Sequence, residues 1–215
     1  SKNFGNVKAV ENLNLKVGDG EIVGLIGPNG AGKSTSIKCM TGQLSRDEGD
    51  IEVLGEDPEL NPVKLKEKLG ILPEREDPPS FLTGTEYLKY VSDIRGAEID
   101  QDEWVKRLNL EGKMDKLTYD LSKGERQKLM IIQAFCHDPE LAFIDEPLIN
   151  LDPIMQEEVK KIFEESKQNG ASVVLSTHAI SLAEEICDRV YFLKDGSAFE
   201  VEKVENLKEK FLEGQ

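Results

Sequence analysis

Nine consecutive residues, Gly27-Pro28-Asn29-Gly30-Ala31-Gly32-Lys33-Ser34-Thr35, carry the clearest chemistry in the chain. They fit G-x-x-x-x-G-K-[ST] at every fixed position. Glycines let a loop adopt positive φ angles and bring successive backbone N–H groups toward phosphate oxygens. A helix starting just beyond adds its partial positive charge at the same place. Lys33 is expected to reach the β- and γ-phosphates of a nucleotide, and the Ser34 hydroxyl to ligate Mg²⁺. The flanks suit the motif: Glu21 to Ile26 reads as a short buried strand and Ser36 to Thr41 as the opening of a helix.

Two further stretches could act on what such a loop holds. Leu141-Ala142-Phe143-Ile144-Asp145-Glu146-Pro147 is an apolar strand that ends in carboxylates. It places Asp145 beside the phosphate loop, where it can hold Mg²⁺ through water. Glu146 follows directly, and water attack on a γ-phosphate calls for a positioned base there. Leu121-Ser122-Lys123-Gly124-Glu125-Arg126-Gln127 is, by local physics, a capping box with a glycine in the first turn. Read functionally, Ser122 and the N–H groups of that helix start could accept a phosphate of a second nucleotide. Local sequence does not choose between the two.

These residues need a frame, and the pattern supplies an alternating α/β one. Val7 to Val17 alternates loosely and predicts strand interrupted by a polar turn, and Asp50 to Leu54 predicts another short strand. Leu65 to Leu69 reads as helix and Gly70-Ile71-Leu72 as a brief strand. Between Glu74 and Tyr119 the character turns helical. Thr85 to Arg95 is stopped by Gly96, and Asp100 with Glu103 forms a capping box. A second box, Ser122 with Glu125, opens a helix carrying Leu129, Ile132 and Cys136. The alternation then resumes. Asp152-Pro153 starts a helix with an apolar stripe at Met155, Val159, Ile162 and Phe163, closed by Gly170. Ser172 to Leu175 and Val190 to Leu193 read as strands around a helix at Ile180 to Ile186. Asp195-Gly196 reads as a hairpin turn into Ala198 to Val201, and Val204, Leu207 and Phe211 mark a short last helix. The organisation is one nucleotide-binding core, residues 1–73 and 121–215, with a helical lobe inserted at about 74–120.

At 215 residues the chain is long enough to bury a full core. Lys and Arg total 27 against 42 Asp and Glu, a net charge of −15. That acidity opposes a general nucleic-acid binder, which needs a basic face. Three isolated cysteines, Cys39, Cys136 and Cys187, with no C-x-x-C, read as buried reduced thiols. The longest apolar runs, such as Leu129 to Ile132, are far too short to span a bilayer.

Taken in order, the motifs resemble those of the nucleotide-binding subunit of an ATP-binding cassette (ABC) transporter. The phosphate loop is followed by Leu121-Ser122-Lys123-Gly124-Glu125 in the place of the LSGGQ signature, and then by Ile144-Asp145-Glu146-Pro147. Asn150-Leu151-Asp152 and Ser176-Thr177-His178 complete the set, and the resemblance covers essentially the whole chain. It implies an α/β fold: a P-loop NTPase core with an inserted α-helical lobe and an amino-terminal antiparallel β region. It also implies ATP and Mg²⁺ as cofactors. Phe4 matches the aromatic that stacks on adenine, and Asn29, Gly30, Ala31, Gly32, Lys33, Ser34 and Thr35 match the phosphate cradle. Ser34, Asp145 and Glu74 match the Mg²⁺ positions, although Glu74 stands where the family usually has glutamine. Glu146 matches the base and His178 the switch histidine on the γ-phosphate. Ser122, Gly124 and Glu125 match the contacts to a nucleotide held by a second subunit. Lys123 replaces a glycine, Glu125 a glutamine, and Leu148-Ile149-Asn150 departs from the usual Thr-Ser-Gly.

The resemblance further implies ATP-dependent head-to-tail pairing, as a homodimer or heterodimer. Hydrolysis would power separate transmembrane subunits, with the chain cytoplasmic and peripheral on the inner face of the cell membrane. The short lobe and Leu82 to Leu88 resemble export-type or ABC-2-type subunits. A soluble member of the superfamily working on ribosomes or DNA is the alternative, but the chain carries one cassette, no coiled-coil arm and no basic extension, and no nucleic acid is expected as a partner. An unrelated kinase or GTPase is opposed by the lack of Asn-Lys-x-Asp and the presence of Glu146 with His178.

Overall fold

Strands buried on both faces read as near-continuous apolar runs. Three strands, β3 (Ile22–Ile26), β5 (Leu141–Asp145) and β6 (Ser172–Thr177), are buried at every position, with polar side chains only at the end of β5 and the two ends of β6. In the computed structural model, which describes residues 1–75, 77–194 and 196–201, they form the middle of a six-stranded sheet. Strand β4 (Leu69–Leu72) lies outside β5, while β7 (Arg189–Lys194) and β8 (Ser197–Val201) lie beyond β3. The order is β4-β5-β6-β3-β7-β8, parallel except for the β7–β8 hairpin. A separate antiparallel pair, β1 (Lys2–Phe4) and β2 (Val7–Val10), forms the amino-terminal β region.

Side-chain alternation along these strands divides the interior between two faces. Ile22, Ile26, Ala142, Ile144, Val173 and Leu175 belong to one cluster, and Val23, Leu25, Leu141, Phe143 and Val174 to the other. The second face is covered by α1 (Lys33–Met40) and α2 (Pro62–Lys68) through Ile37, Met40 and Leu65. The first is covered by α5 (Lys123–Phe135), α6 (Pro153–Gln168) and α7 (Ile180–Ile186). The α6 stripe foreseen at Met155, Val159, Ile162 and Phe163 is its buried face. Between β4 and α5 come α3 (Gly84–Arg95), α4 (Gln101–Arg107) and a 3-10 turn at Thr118–Asp120. Tyr87, Leu88 and Val91 of α3 join the first cluster beside α5.

Several local expectations change. Asp50 to Leu54 is reduced to one bridge, Val53 with Glu56, because Gly49, Leu54 and Gly55 take φ of 83°, 50° and 75° and turn the chain back. Strand β2 ends at Val10, two residues before Asn12 enters the left-handed region at φ 50°. Leu15 and Val17 still pack on the second cluster. At α4 only the Asp100 half of its box forms. Thr83 and Glu86, in contrast, form a full box at α3. The last helix, at Val204, Leu207 and Phe211, lies outside the described residues, as does Asp195 of the hairpin turn.

All three cysteines are free, Cys39 and Cys187 buried and Cys136 half-buried. Burial pushes the Cys39 thiol up, that of Cys136 to about 11 and that of Cys187 to about 12. Among the described residues no helix is long and apolar enough to cross a membrane.

Candidate functional site

Because β4, β5, β6 and β3 run parallel, their carboxyl ends share one edge of the sheet. Ligands of open α/β sheets bind at that edge. Register aligns Ile26 with Thr177 and Asp145 with Ser176, so the phosphate loop, Glu146 and His178 all leave from it.

The loop after β3 is built by backbone. Gly30 and Gly32 take φ of 82° and 101°, and Gly32 is the N-cap of α1 with no side-chain capping bond. A Cβ on Gly32 would collide with the Ala9 carbonyl, and one on Gly27 with the Leu193 carbonyl. Helix α1 has no acidic residue in its first turn and no side-chain cap, so its own sequence offers its first N–H groups no acceptor. Lys33 is buried, and its Nζ donates to the carbonyls of Gly27 at 2.8 Å and Pro28 at 3.1 Å. The ammonium thus lies across its own loop.

At the end of β5, Asp145 Oδ1 accepts from Ser176 Oγ at 2.6 Å. Glu146 is 7 % exposed and has φ 50°, a conformation disfavoured for a side-chain-bearing residue, before Pro147. Its backbone N–H donates to Ser176 O at 2.9 Å. Its carboxylate accepts from Thr177 Oγ1 at 3.2 Å and from the His178 N–H at 2.9 Å. His178 Nδ1 lies 2.6 Å from Glu146 Oε1, and the His178 ring is about half exposed. Residues 32 apart in sequence therefore meet as a carboxylate–imidazole pair.

Ser122 is the N-cap of α5. Its Oγ accepts from the Glu125 N–H at 3.2 Å, while Glu125 Oε2 accepts from the Ser122 N–H at 2.8 Å. Lys113 Nζ lies 3.0 Å from Glu125 Oε1. The Ser122 N–H and then Lys113 hold the Glu125 carboxyl down at about 2. A Cβ on Gly124 would come within 2.6 Å of the Asn150 carbonyl. Asp152 caps α6 through a 3.0 Å bond from the Met155 N–H.

Two other expected positions, Phe4 and Glu74, lie on β1 and just past β4. Phe4 on β1 is half exposed, with Lys2 Nζ 5.8 Å from its ring centroid. Glu74 is exposed just past β4, two residues beyond Leu72, whose partner Ile144 precedes Asp145 on the neighbouring strand β5. Neither it nor Ser122 contacts Lys33 or Asp145 among the described hydrogen bonds. Sequence reasoning gave no role to Ser176, Thr177, Lys113 or Gln127. Ser176 and Thr177 stood in the motif ending at His178 and Gln127 closed the stretch beginning at Leu121, whereas Lys113 had no signal.

Mg²⁺ beside a nucleotide needs one or two protein carboxylates, with phosphates and water completing an octahedron. Asp145 and the Ser34 hydroxyl fit that donor set. Among the described residues no group of three or more His, Cys, Asp or Glu could form an all-protein cage.

Comparison with known proteins identifies the family. The ABC transporter family model matches residues 10–149. The uncharacterized ABC transporter ATP-binding protein YhaQ of Bacillus subtilis is 33% identical over 218 residues, covering 98% of this chain and 72% of YhaQ. The lipopolysaccharide export system ATP-binding protein LptB of Haemophilus influenzae is 33% identical over 204 residues, covering 91% and 85%. Among solved structures, an ATP binding subunit of an ABC transporter superposes with a TM-score of 0.85 at 31% identity, over 94% of this chain and 87% of that one. The cassette MJ0796, a dimer in a post-hydrolysis state bound to ADP and Pi, gives 0.82 at 26% identity, over 94% and 93%. The chain belongs to the ABC transporter family, as one of its ATP-binding, ATP-hydrolysing subunits.

Proposed function

We propose that two such subunits close head to tail around two ATP molecules and that hydrolysis reopens them, driving separate membrane-spanning partners. The observation that carries this reading is the Glu146–His178 pair, held at the sheet edge that also carries the phosphate loop. The loop N–H groups of Asn29 to Thr35 bind the phosphates, and Lys33 exchanges its two carbonyl partners for the β- and γ-phosphates. Phe4 stacks on the adenine. Ser34 and Asp145 would hold Mg²⁺, with Glu74 as a further ligand, and the bound ion would supply neutralisation of phosphate charge.

Glu146 accepts the proton of the attacking water as the water oxygen bonds to the γ-phosphorus and the bond to the ADP oxygen breaks. With Nδ1–H given to the Glu146 carboxylate, neutral His178 presents an unprotonated Nε2. Contact with a γ-phosphate oxygen therefore requires the ring to leave Glu146 or to be protonated. Departure of the ring frees the carboxylate for water at the moment phosphate arrives. Ser122, Gly124 and Glu125 of one subunit meet the nucleotide of the other and exclude bulk water.

The two sequence pieces 1–73 and 121–215 form the nucleotide core in this reading, and 74–120 is the lobe that moves on it. The pair is homodimeric or heterodimeric. The subunit is peripheral on the cytoplasmic side of the membrane and serves an export-type transporter, a reading that its likeness to the export-system protein LptB supports. Glu146→Gln tests the reading. Steady-state ATP turnover should fall at least a hundredfold while ATP now holds a dimer measurable by sedimentation. Full turnover in that variant would remove Glu146 from its role.

A further inference from the structure

Gln127 is 1 % exposed, on the first turns of α5, and the mechanism above gives it nothing to do. Its Nε2 donates to the carbonyl of Pro147 at 2.9 Å, in the residue that follows Glu146. Its Oε1 is buried with no hydrogen-bond partner. A buried amide left half-paired is a liability to stability. Its place is explained by what it holds.

What it holds is the loop of the general base. Glu146 keeps φ 50° ahead of a proline, a conformation that persists only if its surroundings impose it. Ser176 O fixes one side through the Glu146 N–H, and Gln127 fixes the other through Pro147. The same helix carries Ser122 and Gly124 at its start, five and three residues upstream, about 7.5 and 4.5 Å along the axis. Gly124 is pressed on the Asn150 carbonyl, within the same loop. The start of α5 and the loop from Glu146 to Asn150 are therefore gripped to each other at two points.

We infer that Gln127 is a positioning residue that couples the two nucleotide sites of the closed pair. This rests on the head-to-tail reading. In that arrangement Ser122 and Gly124 meet the nucleotide bound by the partner subunit, whereas Glu146 serves the nucleotide of its own subunit. A displacement of α5 on engaging the distant phosphate passes through Gln127 and Pro147 to the local base. Occupancy of one site thereby sets the alignment of Glu146 at the other.

The test uses the purified chain and Gln127→Met, which keeps the side-chain length and removes both polar ends. If Gln127 served only the fold, this variant would lose thermal stability along with activity. As a coupler, it keeps or gains melting temperature. It binds ATP within about twofold of the parent, loses about tenfold or more in kcat, and its Hill coefficient for ATP drops from about 2 toward about 1. Gln127→Asn draws the amide back by one methylene, beyond reach of the Pro147 carbonyl, and should lower the Hill coefficient likewise. Parental turnover and cooperativity in Gln127→Met overturn the inference, as does a Met variant that melts with its activity. Parental cooperativity in Gln127→Asn, with the amide out of reach of Pro147, overturns it too. If the parent chain is itself non-cooperative and Glu146→Gln forms no ATP-dependent dimer, the head-to-tail reading fails and takes the coupling with it.

Discussion

Two helices of this protein start where a phosphate could land, and they are built in opposite ways. Helix α1 opens at Gly32, in the left-handed region, with no side-chain cap and no acid in its first turn. Helix α5 opens at Ser122 with a complete capping box and Glu125 in its first turn. The four N-terminal N–H groups of a helix have no internal partner. At α1 they are left for a ligand, and only the Lys33 ammonium lies across the loop above them. At α5 the chain satisfies part of them itself and adds a carboxylate that Lys113 neutralises. In the proposed reading, the first design would bind phosphate before anything else happens. The second would accept it only by giving up contacts it already has, which suits a surface engaged late and released easily.

The sharpest way to break this contrast is Lys33→Ala. It should leave the chain folded and weaken ATP binding a hundredfold or more in a nucleotide titration. Unchanged affinity would put α1 and α5 on the same footing. Next in size is Ser122→Ala, which should cost about 1 kcal/mol and lower the melting temperature by roughly 2–4 °C, with intrinsic ATP affinity intact. A drop in affinity instead would mean that α5 serves its own subunit's nucleotide.

The smallest effect is expected from Glu125→Gln. Glutamine keeps the cap while removing the negative charge, so half-maximal turnover should need about two- to threefold less ATP at low salt, a difference that shrinks as salt rises. The same pair has a pH signature. The folded Glu125 carboxyl lies at about 2, below its ordinary value of 4.5. Its contribution to stability is present above about 4.5 and is lost as pH falls toward 2. Melting curves of the parent and Glu125→Gln should therefore converge over that window, and parallel curves would remove Glu125 from the cap.

Features with a local cause could be read from the chain directly. The phosphate loop, the buried strand ending at Asp145, the α6 stripe and the Ser122–Glu125 box each depend on residues a few positions apart. Thr83–Glu86 carries the same T-x-x-E signal and was legible in principle. What escaped has long-range causes. Glu146 meets His178 because β5 and β6 pair in register, and Lys113 reaches Glu125 across the turn that precedes α5. Gln127 reads as an ordinary polar position of a helix until the loop after β5 is seen to pass beneath it. Asp50 to Leu54 failed for the opposite reason. Its alternation was genuine, but the left-handed residues around it allow only one bridge.

The three native cysteines make the protein convenient to instrument. The thiolate is the form that attacks thiol reagents, and burial holds the Cys136 and Cys187 thiols at about 11 and 12 and raises that of Cys39. At neutral pH all three are overwhelmingly protonated, and two are sealed from solvent. A single cysteine placed on the exposed face near Ser122, and another near Asn29, would out-compete them for a maleimide dye. The distance between subunits could then be followed during turnover with the native thiols left in place.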